Sequence, residues 1–137
     1  MDQFSMYQNK INISFGDCDP AGIVFYPNYF RWFDATYHAF LASRGVSHVS
    51  LVEKLNCAGT GIIDCGANFR APAISGDSFT LNMTIENWSE KTVRLAYVGI
   101  MEERTILEGF EVRGLFQKVG GRLRAAPIAP LRVLLED

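Results

Sequence analysis

The sequence predicts an α+β fold. Three observations carry this: a first strand, one long helix apolar on nearly all sides, then four or so strands separated by short polar turns. The economical packing wraps a curved antiparallel sheet around the single buried helix. A chain of 137 residues with 48% hydrophobic content encloses one sizeable core and is too short for two ordinary domains, so residues 1–137 are read as a single domain.

Lys10 to Phe15 reads as the first strand, with Ile11, Ile13 and Phe15 on one face by the two-residue period, and it stops at Gly16. Asp17 to Tyr26 mixes a Pro and a Gly with apolar residues, the pattern of an irregular connection that is partly buried. A helix follows from Pro27 to about Arg44, since Pro27 suits a first helical position and Gly45 the residue just past the end. On its wheel Phe30, Phe33, Tyr37, Phe40 and Leu41 form one apolar face; Tyr29, Trp32, Ala35, Thr36 and Ala39 cover another. Only Arg31, Asp34 and His38 make a polar stripe.

Strand patterns dominate the remainder. Cys57 to Phe69 supplies one, blurred by Gly59, Gly61 and Gly66. Phe79, Leu81, Met83 and Ile85 alternate with Thr80, Asn82, Thr84 and Glu86, as a sheet with one covered face requires. Val93, Leu95 and Tyr97 mark a further strand, and Phe110, Val112 and Phe116 another. Turns at Ser75 to Asp77, Ser89 to Lys91 and Glu102 to Arg104 favour antiparallel hairpins. Gly66, Gly99, Gly109 and Gly114 would permit bends or bulges where the sheet curves. The tail after Arg124, with Pro127 and Pro130, is expected to be irregular with a short terminal turn or strand.

A formal net charge of -2 gives no general attraction to nucleic acid or anionic lipid, so neither is expected as a partner. Cys18, Cys57 and Cys65 are an odd number without CxxC spacing, which suits neither a disulfide framework nor a zinc site and favours a reducing compartment. The start, MDQFSMYQNK, has neither the basic nor the apolar part of a signal peptide, and no apolar run approaches a membrane span. A soluble, cytoplasmic protein is the expectation. His38 and His48 are the only histidines, and with scattered carboxylates they give no metal-ligand constellation.

The chemistry concentrates in GDCDPAGIVFYPNY, Gly16 to Tyr29. Taken alone, Asp17 and Asp19 read as caps or Asx-turn residues before the helix, and Cys18, with no histidine near it in sequence, as a small buried hydrophobe. The segment as a whole, however, resembles the fingerprint of the 4-hydroxybenzoyl-CoA thioesterase family, nearly without interruption. Weaker similarity covers the rest of the chain, including Gly59 to Ile63 and Arg122 to Ala125.

The resemblance implies a hotdog fold and hydrolysis of an acyl-CoA, with CoA part of the substrate, no metal or redox cofactor, and assembly as a homodimer or homotetramer. It assigns Asp19 as the catalytic carboxylate, acting as nucleophile or as general base, and leaves Asp17 structural. Tyr26 would act through its backbone N–H at the start of the helix, where unsatisfied donors and the helix dipole favour an oxyanion. Gly22, Trp32, Asp34 and Thr60 would contact the acyl part. Gly22 offers close approach, and Asp34 would recognise a para-hydroxyl on a benzoyl ring. The plainer reading of Asp34 is an ion pair with Arg31, three residues before it.

Lys91, Arg122 and Arg124 would hold the CoA phosphates. Ser89 and Glu90 stand where the family carries two arginines before the lysine, a departure from its phosphate clamp. The lack of a histidine near Asp19 counts against the hydratases and dehydratases of the same fold. An aliphatic acyl-CoA thioesterase and a non-catalytic acyl-CoA or aromatic-acid binding protein are the alternatives.

Overall fold

The computed structural model describes residues 6–136. Its chain order is β1 (Met6–Asn12), a 3-10 turn (Phe15–Asp17), α1 (Pro27–Ser43), α2 (His48–Leu55), β2 (Gly59–Phe69), β3 (Ser78–Trp88), β4 (Thr92–Met101), β5 (Arg104–Val119), β6 (Arg122–Ala126) and α3 (Ala129–Glu136). All strands join one antiparallel sheet in the order β1-β3-β4-β5-β2. β6 pairs with the far end of β5, from Leu115↔Ala126 to Val119↔Arg122, and so continues the line of β4, whose pairing with β5 stops at Thr92↔Gly114. Among the described residues β1 and β2 end that order.

The first strand lies earlier than the sequence predicts. Ile11 and Ile13 are buried as expected, but the ladder with β3 ends at Asn12↔Ser78, and Phe15 is 86% exposed on the 3-10 turn. The turn begins because Asp17 reaches back to the Ser14 amide, which outcompetes one more strand residue.

α1 stops where predicted. The Arg44 amide donates to the Leu41 and Ala42 carbonyls, and Gly45 takes φ +75° just beyond. Its buried residues are Tyr29, Trp32, Phe33, Thr36, Tyr37, Phe40 and Leu41. Ala35 is exposed, so the second apolar face is narrower than the wheel suggested. Phe33 stacks flat on Tyr97 of β4 with centroids 4.3 Å apart. Gly109 of β5 permits this contact: a Cβ there would lie 2.6 Å from Phe33 Cε2 and 2.9 Å from the Gly66 carbonyl oxygen. The register shifts fall at Ile62/Asp64, Ile85/Asn87 and Gly99/Ile100, so Gly99 sits at a bulge while Gly109 serves close packing.

Two helices go beyond the sequence reading. α2 is opened by Ser47, whose Oγ accepts from the Ser50 amide at 3.1 Å, and closed by Asn56 in the left-handed region. The tail after Arg124, expected to be irregular with a short terminal turn or strand, instead finishes β6 and then forms α3, which buries Leu131 and Leu135 one turn apart. The Ile128 amide ties the start of α3 to the Glu90 carbonyl in the β3–β4 turn. No helix of the described residues is long and apolar enough to cross a membrane.

Candidate active site

The fingerprint loop is built around its own backbone. The Asp17 carbonyl accepts from the Phe25 amide at 2.9 Å and from Asn28 Nδ2 at 2.8 Å, folding the segment back on the start of α1. The Asp17 carboxylate accepts from the Ser14 amide and hydroxyl, each at 2.9 Å, and from Arg31 Nη2 at 3.2 Å. The Ser14 amide above all holds its pKa below the ordinary value against the opposing effect of burial, with the Ser14 hydroxyl and Arg31 adding to it.

Asp19 closes a tighter turn inside this one. Its amide donates to the Ile23 carbonyl at 2.9 Å, and its carbonyl accepts from Gly22 at 2.8 Å. Its half-buried carboxylate accepts only from the Ala21 amide, at 2.9 Å, among the described residues. Gly22 is required by φ +86°, and beyond its chain neighbours no atom of the described residues lies within 4 Å of where its Cβ would be.

Tyr26 is the N-cap of α1, with Pro27 following, and its phenol is exposed. Its amide has no hydrogen-bond partner among the described residues, while the Asn28 and Tyr29 amides are taken by Phe25 and Tyr26 carbonyls. The helix terminus therefore offers one free donor close in the chain to Asp19. Beside it an apolar cleft of about 260 Å³ runs between Ile23, Tyr26 and Tyr29 on one side and Phe69 to Ala73 on the other.

Asp34 and Thr60 lie elsewhere. They line a second cavity of about 350 Å³, with His38 on α1, His48 on α2 and Arg113 on β5. Asp34 stands eight residues beyond Tyr26 on α1, about 12 Å along the helix axis. It does not pair with Arg31, which turns to Asp17 and Asn28. Instead Asp34 Oδ1 accepts from Arg113 Nη2 at 2.8 Å and lies 3.5 Å from His38 Nε2. Thr60 Oγ1 is bonded to the Tyr37 hydroxyl at 2.9 Å, and its carbonyl accepts from Arg113. Trp32 packs in the core against Tyr29 and Phe79 and lines neither cavity.

Lys91, Arg122 and Arg124 are exposed, and none of them forms an ion pair among the described residues. Because β6 prolongs the line of β4, its Ala126 end comes beside Thr92 and the turn that carries Lys91. Arg122 and Arg124, two residues apart on a strand, share a face. Ser89 Oγ bonds Thr92 across the turn, so that departure from the family pattern serves the local fold, whereas at position 90 the Ile128 amide meets only the main-chain carbonyl.

The model of the Thioesterase superfamily matches residues 21–106. The 4-hydroxybenzoyl-CoA thioesterase of Pseudomonas sp. (strain CBS-3) is 34% identical over 85% of this chain and 86% of its own length. The chain belongs to the thioesterase superfamily. The solved structure of a 4-hydroxybenzoyl-CoA thioesterase from the same strain superposes on this thioesterase with TM-score 0.87 at 30% identity, covering 96% of this chain and 99% of the other. A gentisyl-coenzyme A thioesterase gives TM-score 0.79 at 31% identity over 96% of this chain and 100% of that one. A 1,4-dihydroxy-2-naphthoyl-CoA hydrolase of Prochlorococcus marinus (strain MIT 9515) is 26% identical over 73% of this chain and 69% of its own. The fold is the hotdog fold, and this thioesterase is a thioester hydrolase.

Sequence reasoning missed the charged interior of β5. Phe110, Val112 and Phe116 mark that strand, yet they are only half-buried, and the core face carries Glu111, Arg113 and Leu115. Glu111 accepts from the Tyr97 hydroxyl at 2.8 Å and from Arg113 Nε at 3.0 Å. Burial, the charge of Glu111 and the bond to it all push the Tyr97 phenol far above its ordinary pKa, so it stays a donor. The available signal was two opposite charges two positions apart inside an apolar strand. That spacing puts both on one face.

Proposed function

We propose that this thioesterase hydrolyses an aromatic acyl-CoA carrying a ring hydroxyl, 4-hydroxybenzoyl-CoA or a close analogue, to the free acid and CoA. The observation that carries the reading is that the one loop entering α1 presents both a lightly held Asp19 carboxylate and, seven residues on, a Tyr26 amide with no partner among the described residues. The Tyr26 N–H would stabilise the oxyanion formed as the thioester carbonyl is attacked. Asp19 would either attack that carbon, expelling CoA thiolate and forming a mixed anhydride that water opens, or remove a proton from the attacking water. Lys91, Arg122 and Arg124 would hold the nucleotide phosphates.

Asp34 would accept the ring hydroxyl, but one protomer keeps it apart from Asp19. A homodimer supports a complete site. Among the described residues β2 pairs only with β5 and leaves its other edge open, with Ile62 44%, Ile63 50% and Phe69 48% exposed. Two copies joined antiparallel along β2 would set the Gly59 end of one strand against the Phe69 end of the other. The Asp34 cavity at the first end would then face the partner's cleft beside Tyr26. The free thiols of Cys18, Cys57 and Cys65 support a reducing, cytoplasmic setting.

A panel of acyl-CoA substrates tests the reading by release of free thiol. Highest kcat/KM on hydroxylated aromatic acyl groups supports it. Preference for aliphatic chains, or binding without thiol release, rejects it.

A further inference from the structure

We infer that Arg113, anchored by Glu111, is a positioning residue that fixes the Asp34 carboxylate and thereby selects an acyl group whose ring substituent donates a hydrogen bond. The inference rests on the substrate reading above and names what sets its selectivity.

Arg113 is 2% exposed at its side chain, Glu111 4% and Asp34 53%, so the three charges run from the core outward to the cavity. The guanidinium is held on every arm: Nε donates to Glu111 Oε1 at 3.0 Å, Nη1 to the Thr60 carbonyl at 3.0 Å and Nη2 to Asp34 Oδ1 at 2.8 Å. Its plane lies over the Tyr37 ring, 3.9 Å from the centroid. Glu111 is held in turn by the Tyr97 hydroxyl, which also reaches the Phe33 carbonyl at 3.1 Å. A guanidinium clamped in this way cannot rotate without breaking several bonds, so the direction of its third arm is set by the core.

Two consequences reach the cavity. Glu111 already balances the buried positive charge. Asp34 therefore adds a second carboxylate to one arginine. Such a cluster favours a neutral donor and repels an anion. Both contacts of Asp34, Arg113 and His38, end on Oδ1, and Oδ2 accepts no hydrogen bond among the described residues. One oxygen orients the carboxylate and the other stays available for a phenol.

The test measures kcat/KM on 4-hydroxybenzoyl-CoA and benzoyl-CoA for the full chain, reading the ratio of the two. A wild-type ratio near one rejects the substrate reading and this inference with it. Given a high wild-type ratio that Asp34→Ala collapses, the pair variant Glu111→Gln with Arg113→Met should lower the ratio by about fivefold or more. Adding Asp34→Ala to that pair should lower it little further, because both changes act on the same contact. A folded pair variant that keeps the wild-type ratio overturns the positioning role while leaving the substrate reading intact. If the pair variant does not fold, Arg113→Lys keeps the charge beside Glu111 without the fork. A reduced ratio there supports the inference, and an unchanged one overturns it. 4-Carboxybenzoyl-CoA should be a poorer substrate than benzoyl-CoA for the wild type; equal or faster hydrolysis overturns the charge argument.

Discussion

The carboxylates of Asp17 and Asp19, two residues apart, are held in opposite ways: that of Asp17 accepts from Ser14 twice and from Arg31, whereas that of Asp19 accepts from the Ala21 amide alone among the described residues. A carboxylate saturated with donors is a poor nucleophile or base. One with a single donor keeps lone pairs for chemistry. Asp19→Asn should therefore lower kcat by about a hundredfold or more with little change in melting temperature. Steady-state thiol release and thermal melting of the purified variant check this, and wild-type turnover would remove Asp19 from the mechanism.

Asp17 should instead appear in stability. Its pKa is lowered in the folded state from an ordinary 3.8, first by the Ser14 amide. A carboxylate whose folded value lies below its unfolded value stabilises the fold above the unfolded value and loses that contribution as pH falls through the folded one. Asp17→Asn should melt lower than wild type at neutral pH. The gap should close as pH drops below about 4. A gap that stays constant from neutral pH down to acid unfolding would disprove the electrostatic account.

The elements legible in the sequence were those fixed by local period and punctuation. Pro27 and Gly45 bracket α1, and Phe79 to Ile85 alternate as β3 does. Asp17 and Asp19 could be told apart only by resemblance, since the difference lies in which amides reach each carboxylate, and Arg31 is fourteen residues from Asp17. Glu111 and Arg113 stayed hidden because charge on a core face contradicts the rule that apolar residues point inward. They are tolerated there because Tyr97, Thr60 and Asp34, all distant in sequence, satisfy them. α2 was hidden for another reason: eight residues are too few to show a period clearly, and its signal was the Ser47 cap and Asn56 stop.

Gly109 tests the packing of the sheet on α1. Its missing Cβ is what admits Phe33, and Phe33 cannot retreat because it stacks on Tyr97, whose hydroxyl is committed to Glu111 and the Phe33 carbonyl. Gly109→Ala should destabilise by about 1 to 3 kcal/mol, measured by urea denaturation. An unchanged midpoint would mean that the contact relaxes freely.

The phosphate assignment predicts a binding defect. Replacing Lys91, Arg122 and Arg124 together by alanine should raise KM for acyl-CoA about tenfold or more with a smaller effect on kcat, because exposed cations contribute to binding more than to the chemical step. Raising salt should increase the wild-type KM in the same direction. Unchanged KM in the triple variant would place the phosphates elsewhere.

Asp19 and Asp34 provide a test of the two-copy site that needs no structure of the complex. If each site takes Asp19 from one copy and Asp34 from the other, a heterodimer of an Asp19→Asn chain with an Asp34→Ala chain holds one site with both defects and one with neither. Were the site confined to one chain, the same heterodimer would hold one site lacking Asp19 and one lacking Asp34, and no intact site at all. Co-expressing the two variants under different tags and purifying the mixed species should thus restore hydrolysis of 4-hydroxybenzoyl-CoA to about half the wild-type rate per dimer. The parent homodimers, assayed alongside, should remain below it, Asp19→Asn for want of the reactive carboxylate and Asp34→Ala for want of the hydroxyl's partner. A mixed species no more active than the average of its parents would confine Asp19 and Asp34 to separate functions or to one chain, and the pairing of two β2 edges would no longer account for the site.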